Sequence, residues 1–329
     1  FMTKLLDYIH TLGRTPVIPL MGYPGTQLTH TSIKQNEFNW GVQSWTLQAL
    51  WRRFDPDGIF LFMDLAVEAS ALGLQVRFPI HESPSVEIHP VDTEEDLDQF
   101  KAVDLLKDGR VHAFIETAKQ LKVLLPENVI RGGYITGPFT LAGLLCGAND
   151  IALNVITDPK LVFRLLEITT GVVIRYALAL ERAGIQVIAM LDPTAVILGP
   201  KHFQEFAGRF ASVVISALHE ASVVYHVCGN TTHLVEDFCK TGAQGLSLDS
   251  VVNFPEIAPR IPPDVVLIGN INPVEVMLHQ GPAQVRDAVF RLREKMSPYQ
   301  NFILSTGCDL PAEVPLENIE AFMEAGKKK

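Results

Sequence analysis

The chain contains few cysteines and little positive charge for its length. Only 4 of its 329 residues are cysteine, too few for the disulfide framework of a secreted scaffold, which predicts a reducing, cytoplasmic setting. The net charge of −10 argues against nucleic acid or an anionic membrane surface as a partner. No apolar run reaches the length of a membrane span, since the nearest approach, 213–228, is interrupted by His219 and Glu220. The sequence therefore predicts a globular protein that binds neither nucleic acid nor membrane.

Apolar residues are abundant and occur in short runs. They make up 47% of the chain, and a chain of this length buries about three quarters of its unfolded surface. Short β-branched or apolar runs alternate with longer amphipathic stretches, which is typical of βα units around a parallel sheet. The predicted strands are 58–64, 129–137, 186–192, 222–228, 245–249, 265–270 and 301–306, with a weaker candidate within 86–91. The predicted helices are 97–124, 159–183, 201–220, 232–241, 282–296 and 316–324.

This alternation predicts an α/β fold, a single (β/α)8 TIM barrel, because the strand count approaches the eight that such a barrel needs. About the first forty residues do not follow the alternation, and we expect an N-terminal helical layer there with a loop at 22–27. No low-complexity linker and no internal repeat interrupts the chain. Residues 1–329 are therefore expected to form one domain.

Polar residues and glycine lie where the predicted strands end. In a barrel the carboxyl ends of the strands form one face, and catalytic groups are found on that face. The alternative for Asp192, Asp249 and Asn270 is a turn or helix-cap role, which these residue types also favour. The residues at strand ends are Asp64, Gly137, Asp192, His226, Cys228, Asp249, Asn270 and Cys308.

His226 and Cys228 close an apolar run, and Cys308 follows another. Side chains two residues apart in a strand point to the same side, so His226 and Cys228 are able to face one point. One imidazole and two thiolates form a set of donors that selects zinc. The alternative is two core cysteines and a hydrogen-bonded histidine. The matching position of Cys308 at a strand end favours the zinc site.

Three segments resemble the uroporphyrinogen decarboxylase superfamily, and the resemblance covers nearly the whole chain. They are FLFMD at 60–64, GPFTLA at 137–142 and STGCDLP at 305–311. A decarboxylase of this family carries an arginine-containing segment that holds substrate carboxylates, whereas the matching stretch here, 16–25, has no arginine or lysine. Cys308 occupies the position of the decarboxylase's C-terminal histidine. The chain therefore looks like the zinc-dependent branch, the methylcobalamin:coenzyme M methyltransferases.

The resemblance implies a site and a reaction. His226, Cys228 and Cys308 would be the catalytic zinc ligands, and Asp249 matches the acid that follows the His-x-Cys pair in cobalamin-independent methionine synthase. The methyl donor would be a corrinoid, either methylcobalamin or a methylated corrinoid protein. The acceptor would be a zinc-bound thiolate, from coenzyme M or another thiol, or a tetrahydrofolate-type amine. The expected substrate-binding residues are Asp64, Tyr23, Tyr134, Gly137, Asp192 and Asn270.

Two alternatives stay open from the sequence. One is a uroporphyrinogen-type tetrapyrrole decarboxylase, disfavoured by the missing arginine segment. The other is a non-catalytic corrinoid-binding protein in which zinc is structural, which a closed site with four protein ligands would favour.

Overall fold

Seven parallel strands form the wall of a barrel. A computed structural model describes residues 4–328. Along the wall the strands follow the order β1-β4-β5-β6-β7-β8-β9, and each pairs in parallel with its neighbours. The strands of the described chain are β1 Gly58–Phe60, β2 Val76–Arg77, β3 Ser85–Val86, β4 Ile130–Thr136, β5 Val187–Leu191, β6 Ser222–Val227, β7 Gly245–Leu248, β8 Val266–Ile271 and β9 Phe302–Thr306.

A short segment around Val17 closes the barrel between β9 and β1. Val17 forms a parallel bridge with Leu304 of β9, and its carbonyl accepts a hydrogen bond of 3.1 Å from the Asp57 N–H just before β1. The TIM-barrel prediction is therefore confirmed, but this closing segment was not among the predicted strands. Pro16 and Pro19 flank Val17 and lack N–H donors, so only a minimal strand forms.

The weak strand predicted within 86–91 is wrong as a barrel strand. β3 pairs with β2 in a separate two-stranded antiparallel sheet. Both strands belong to the long connection between β1 and the helix Gly109–Leu124. This connection passes over the carboxyl side of the barrel, where Ser83 donates a hydrogen bond of 3.1 Å to the Tyr23 hydroxyl.

Helices cover the outside of the barrel. The first four confirm the predicted N-terminal helical layer, and α1 closes the amino end, because Tyr8 reaches the carbonyls of Asp57 and Asn128 just before β1 and β4. The α-helices are α1 Lys4–Leu12, α2 Gly25–Thr29, α3 Ile33–Phe38, α4 Trp40–Phe54, α5 Val67–Ala71, α6 Gly109–Leu124, α7 Pro138–Cys146, α8 Ala148–Thr157, α9 Pro159–Ala183, α10 Pro200–His202, α11 Arg209–Ala217, α12 Val235–Cys239, α13 Phe254–Ile257, α14 Pro282–Met296 and α15 Leu316–Lys327.

Two predicted helices are interrupted in the structure. The stretch predicted as one helix at 97–124 contains 3₁₀ turns at Glu95–Phe100 and Leu105–Lys107 before α6 begins. Asp108 starts α6 because its carboxylate accepts the N–H groups of the first turn. The helix predicted at 201–220 contains a π-helical segment, Phe203–Gly208, and ends with α11.

Within residues 4–328 no single helix has the length and apolar character of a membrane span. Helices α7 and α8 together reach that length and apolar character, but the chain bends by 103° between them.

Candidate metal centre

The carboxyl ends of β6 and β9 bring one imidazole and two thiols together. His226 lies within β6, Cys228 directly follows it, and Cys308 is two residues beyond β9. The Cys228 sulfur lies 3.3 Å from His226 Nε2 and 3.5 Å from the Cys308 sulfur. The Cys308 sulfur lies 3.7 Å from the same nitrogen. Within residues 4–328 no other group of three or more His, Cys, Asp or Glu side chains gathers its donor atoms within 4.8 Å.

The spacing of these three atoms fits a tetrahedral zinc ion. With Zn–S of about 2.3 Å and Zn–N of about 2.0–2.1 Å, neighbouring donors of a tetrahedron lie roughly 3.5–3.8 Å apart. The observed separations are 3.3, 3.5 and 3.7 Å. Two soft thiolates with one imidazole also match zinc by ligand type. Both geometry and chemistry of the donor set therefore fit the metal that the sequence predicts.

Ser247 orients the imidazole of His226. Its hydroxyl lies 2.8 Å from His226 Nδ1, and β7 places Ser247 directly beside His226 in the sheet register. A metal-binding histidine commonly donates its second ring N–H to an outer partner, which fixes the tautomer. With the proton on Nδ1, the Nε2 lone pair faces the two sulfurs. Ser247 was missed from the sequence, although it is the one hydroxyl residue in the apolar strand β7.

A hydrogen bond links the two thiols. It lowers the pKa of the Cys228 thiol, although burial acts in the opposite direction. The same hydrogen bond, together with burial, raises the pKa of Cys308. A thiolate is the form in which cysteine binds a metal.

Asp249 lies beside this group without joining it. One carboxylate oxygen accepts the Gly229 N–H at 2.8 Å, and the other accepts the Val251 N–H at 3.1 Å. Asn270 supports the same turn, since its amide donates to the carbonyls of Asp249 at 3.1 Å and Val252 at 2.6 Å. These contacts give Asp249 and Asn270 backbone partners on the loops that surround the three donors.

Asp64, which the sequence predicts to bind substrate, has a buried side chain in this structure. Its side chain is fully buried and forms an ion pair with Arg110, while its second oxygen accepts the Ala66 N–H at 2.7 Å. Burial raises the pKa of Asp64, and Arg110 opposes that shift. Nearby, Glu37 is wholly buried, and its burial and the charge of Asp64 raise the pKa of Glu37 to about 9.

Asp192 and Gly137 also form a buried contact. Asp192 accepts hydrogen bonds from the Thr140 N–H at 2.8 Å, the Thr140 hydroxyl at 2.7 Å and the Tyr225 hydroxyl at 2.6 Å. A Cβ at Gly137 would lie 2.4 Å from Asp192 Cγ, so glycine permits this close approach. Gly137 also directly precedes α7.

The two predicted tyrosines lie nearer the donor group. Tyr23 donates a hydrogen bond of 2.5 Å to the Met63 carbonyl. Tyr134 is on β4, its ring centroid 5.4 Å from that of Phe60. Burial raises the pKa of both tyrosines, and the charge of Asp309, next to Cys308, adds to the rise.

The buried carboxyl of Glu68 behind β4 makes the stability pH-dependent. Burial raises the pKa of Glu68 from 4.5 to about 7, although hydrogen bonds from the N–H and hydroxyl of Thr136 oppose the shift. The folded chain therefore holds an extra proton between the unfolded pKa of 4.5 and the folded pKa of about 7. The free energy of unfolding is fully developed below this window and falls as pH rises through it. The slope is about 1.4 kcal/mol per pH unit, or about 3 kcal/mol in all.

Urea unfolding of the wild type and Glu68→Gln from pH 4.5 to 7 tests this expectation. The difference between the two curves should show that slope, because glutamine carries no titrating proton. Glu167→Gln, on the exposed side of α9, is the control and should keep the wild-type slope. Parallel curves for wild type and Glu68→Gln would contradict the expectation.

Known proteins of two activities are similar to this chain. The family model described as "Uroporphyrinogen decarboxylase (URO-D)" matches residues 12–329. The methylcobamide:CoM methyltransferase MtbA of Methanosarcina acetivorans is 29% identical over 269 residues, covering 80% of this chain and 77% of that protein. The uroporphyrinogen decarboxylase of Aliivibrio salmonicida is 27% identical over 292 residues, covering 85% and 81%. A solved structure, a methyltransferase from Methanosarcina mazei, matches with a TM-score of 0.90 at 24% identity, covering 98% of this chain and 97% of that one.

Proposed function

The chain belongs to the uroporphyrinogen decarboxylase (URO-D) family, and we propose that it is a zinc-dependent methyltransferase which moves a methyl group from a methylated corrinoid to a thiol. The observation that carries this proposal is the donor group of His226, Cys228 and Cys308, with separations of 3.3 to 3.7 Å. Such a group has a direct use in activating a thiol, and no evident use in removing carboxylates from a tetrapyrrole.

Sequence identity alone does not choose between the two activities. The methyltransferase and decarboxylase relatives are 29% and 27% identical to the chain. The arginine-free stretch 16–25 adds to the argument, because a decarboxylase needs cations that hold substrate carboxylates. In this structure the buried Arg110 is engaged by Asp64. The site therefore favours the methyltransferase over the decarboxylase.

Each residue of the group has a distinct part in the proposed reaction. Zinc, when bound, lowers the pKa of a coordinating thiol so far that the thiol is deprotonated. His226 would present Nε2, Cys228 would supply a thiolate two residues further along the chain, and Cys308 would bring the third donor from the loop after β9. Three protein ligands leave a zinc ion one position for the acceptor, as in catalytic zinc sites generally. The acceptor sulfur would take the methyl group as a thioether, the cobalt–carbon bond would break with its electron pair left on cobalt as Co(I), and the thiol proton would pass to solvent. Alignment of acceptor and methyl donor over the barrel mouth would supply rate through proximity.

The partners follow from the proposed chemistry. The donor is a methylated corrinoid, free or carried by a corrinoid protein, as the name of the methylcobamide:CoM relative implies. The acceptor is a small thiol such as coenzyme M, with a tetrahydrofolate-type amine as the alternative.

The experiment that tests the proposal mixes the purified protein with methylcobalamin and an acceptor and follows loss of the methyl-cobalt absorbance. Coenzyme M, another small thiol and tetrahydrofolate serve as three acceptors in parallel. We expect turnover with a thiol, loss of turnover after treatment with a chelator, and recovery on addition of zinc.

Uroporphyrinogen is the control substrate. Formation of coproporphyrinogen at a rate unaffected by the chelator would overturn the proposal in favour of a decarboxylase. Bound zinc without turnover of any acceptor would favour a non-catalytic corrinoid-binding protein.

A further inference from the structure

We propose that residues 247–250 at the end of β7, the β7 turn, are the positioning element of the metal centre, and that Asp249 anchors the ligand loops instead of binding the metal. The inference rests on the proposed zinc site. Its basis is that this one turn contacts His226 directly and also contacts Gly229 and Gly307, the residues next to Cys228 and Cys308 in the chain.

The first contact is with His226. Ser247 Oγ lies 2.8 Å from His226 Nδ1, and Ser247 is 3% exposed, so water does not compete freely for this bond. The contact fixes both the ring orientation and the nitrogen that faces the two sulfurs.

The second contact is with the Cys228 loop. Asp249 Oδ2 accepts the N–H of Gly229, the residue directly after Cys228, at 2.8 Å. Its Oδ1 accepts the Val251 N–H at 3.1 Å and the Ser250 hydroxyl at 3.2 Å. Both carboxylate oxygens are therefore engaged by groups of the protein. Within residues 4–328 the only donor atoms that gather within 4.8 Å of one another here belong to His226, Cys228 and Cys308, and the Asp249 oxygens are not among them.

The third contact is with the Cys308 loop. A Cβ built on Gly307, the residue before Cys308, would lie 2.6 Å from the Ser250 backbone nitrogen. The two backbones therefore pack so closely that only glycine fits at 307 without a shift. The Gly307 N–H also donates to the Ile271 carbonyl at 2.8 Å, which holds the same loop from β8.

Asn270 keeps the turn itself in place. Its amide donates to the carbonyls of Asp249 and Val252, so β8 supports the β7 turn from the side. The result is a set of three donors whose directions are fixed by the protein before a metal arrives. A zinc ion held by these three protein donors would have one further position for the acceptor.

Cobalt(II) titration distinguishes an anchor from a ligand, because sulfur-to-cobalt charge-transfer absorbance counts the thiolates and the visible bands report the other ligands. In Asp249→Asn the amide oxygen is still able to accept the Gly229 N–H, whereas Asp249→Ala has no acceptor. We expect Asp249→Asn to keep the wild-type spectrum with less than about a tenfold loss of affinity. Asp249→Ala should lose about 10- to 100-fold in cobalt affinity, which is the usual cost of removing an outer partner of a metal site. At saturation it should still reach the wild-type charge-transfer absorbance, because both thiolates remain.

Asp96→Asn is the matched control, since Asp96 also accepts two backbone N–H groups, at 3.0 and 2.7 Å, on an exposed loop. It should bind cobalt like the wild type. If Asp249→Asn loses as much affinity as Asp249→Ala and its visible bands change, Asp249 is a ligand and the inference is overturned, while the proposed function stands. A wild type that takes up no cobalt or zinc would instead overturn the proposed function and the inference with it. Metal binding as expected, but without methyl transfer, would overturn the function alone.

Discussion

Cys308→Ser is expected to lose its bound zinc and to slow methyl transfer by more than about 100-fold. Removing only an outer partner of a metal site already lowers metal affinity or activity by up to about 100-fold, and Cys308 is a proposed ligand. A serine hydroxyl is a much poorer ligand for zinc than a thiolate. The fold should survive, since a core of this size does not depend on one ion. Metal content after dialysis, the methyl-transfer rate and the circular dichroism spectrum are the three measurements.

Cys239→Ser is the matched control for this variant. Cys239 is half-buried on α12, away from the donor group, and its replacement should leave zinc content and rate near wild-type values. If Cys308→Ser binds a full equivalent of zinc and turns over normally, Cys308 is not a ligand.

Arg110→Ala is expected to destabilise the fold by about 3–5 kcal/mol, because removing one partner of a buried ion pair leaves the other charge uncompensated. The Asp64 side chain is 0% exposed and that of Arg110 is 4% exposed, so solvent screens neither charge. The guanidinium also lies 5.2 Å from the ring centroid of Phe38 and 4.6 Å from that of Phe78, and these cation–π contacts are lost as well. Urea unfolding at constant pH measures the effect.

Two further variants separate the charge from the packing. Arg164→Ala removes an exposed arginine that pairs with Glu167 within α9 and should change the stability by less than about 1 kcal/mol. Asp64→Asn combined with Arg110→Met removes both charges and should recover much of the lost stability. A small effect of Arg110→Ala, comparable with that of Arg164→Ala, would contradict a buried, mutually dependent pair.

The sequence predicts several strands well because their residues are mostly apolar and buried. β5, β6 and β9 each lie within their predicted ranges because their residues are buried on both sides and read as continuous apolar segments. The closing segment at Val17 escaped prediction because two prolines interrupt its pattern. The strand predicted within 86–91 was wrongly placed in the barrel, because β-propensity does not reveal whether a strand pairs with the barrel or with a neighbouring hairpin strand.

Side-chain direction explains what the sequence could and could not predict about the site. The i, i+2 spacing of His226 and Cys228 is a local pattern, and the structure does place their donor atoms together. Asp64 also ends a predicted strand, 58–64, but its side chain pairs with Arg110, 46 residues away, which no local pattern reveals. The roles of the three donors in catalysis stay a prediction until the variants above are measured.

Residues 16–18 contribute no donor atom to the metal centre, yet they protect a sheet that would otherwise be open. Leu304 of β9 receives a hydrogen bond of 2.9 Å from the Ile18 N–H and donates one of 3.0 Å to the Pro16 carbonyl. Without this segment, β9 and β1 would become edge strands with free backbone groups, the feature that makes sheets prone to pair with other chains. Cys308 lies two residues beyond β9. The position of Cys308 therefore depends on a strand that residues 16–18 hold in the barrel, although these residues supply no ligand.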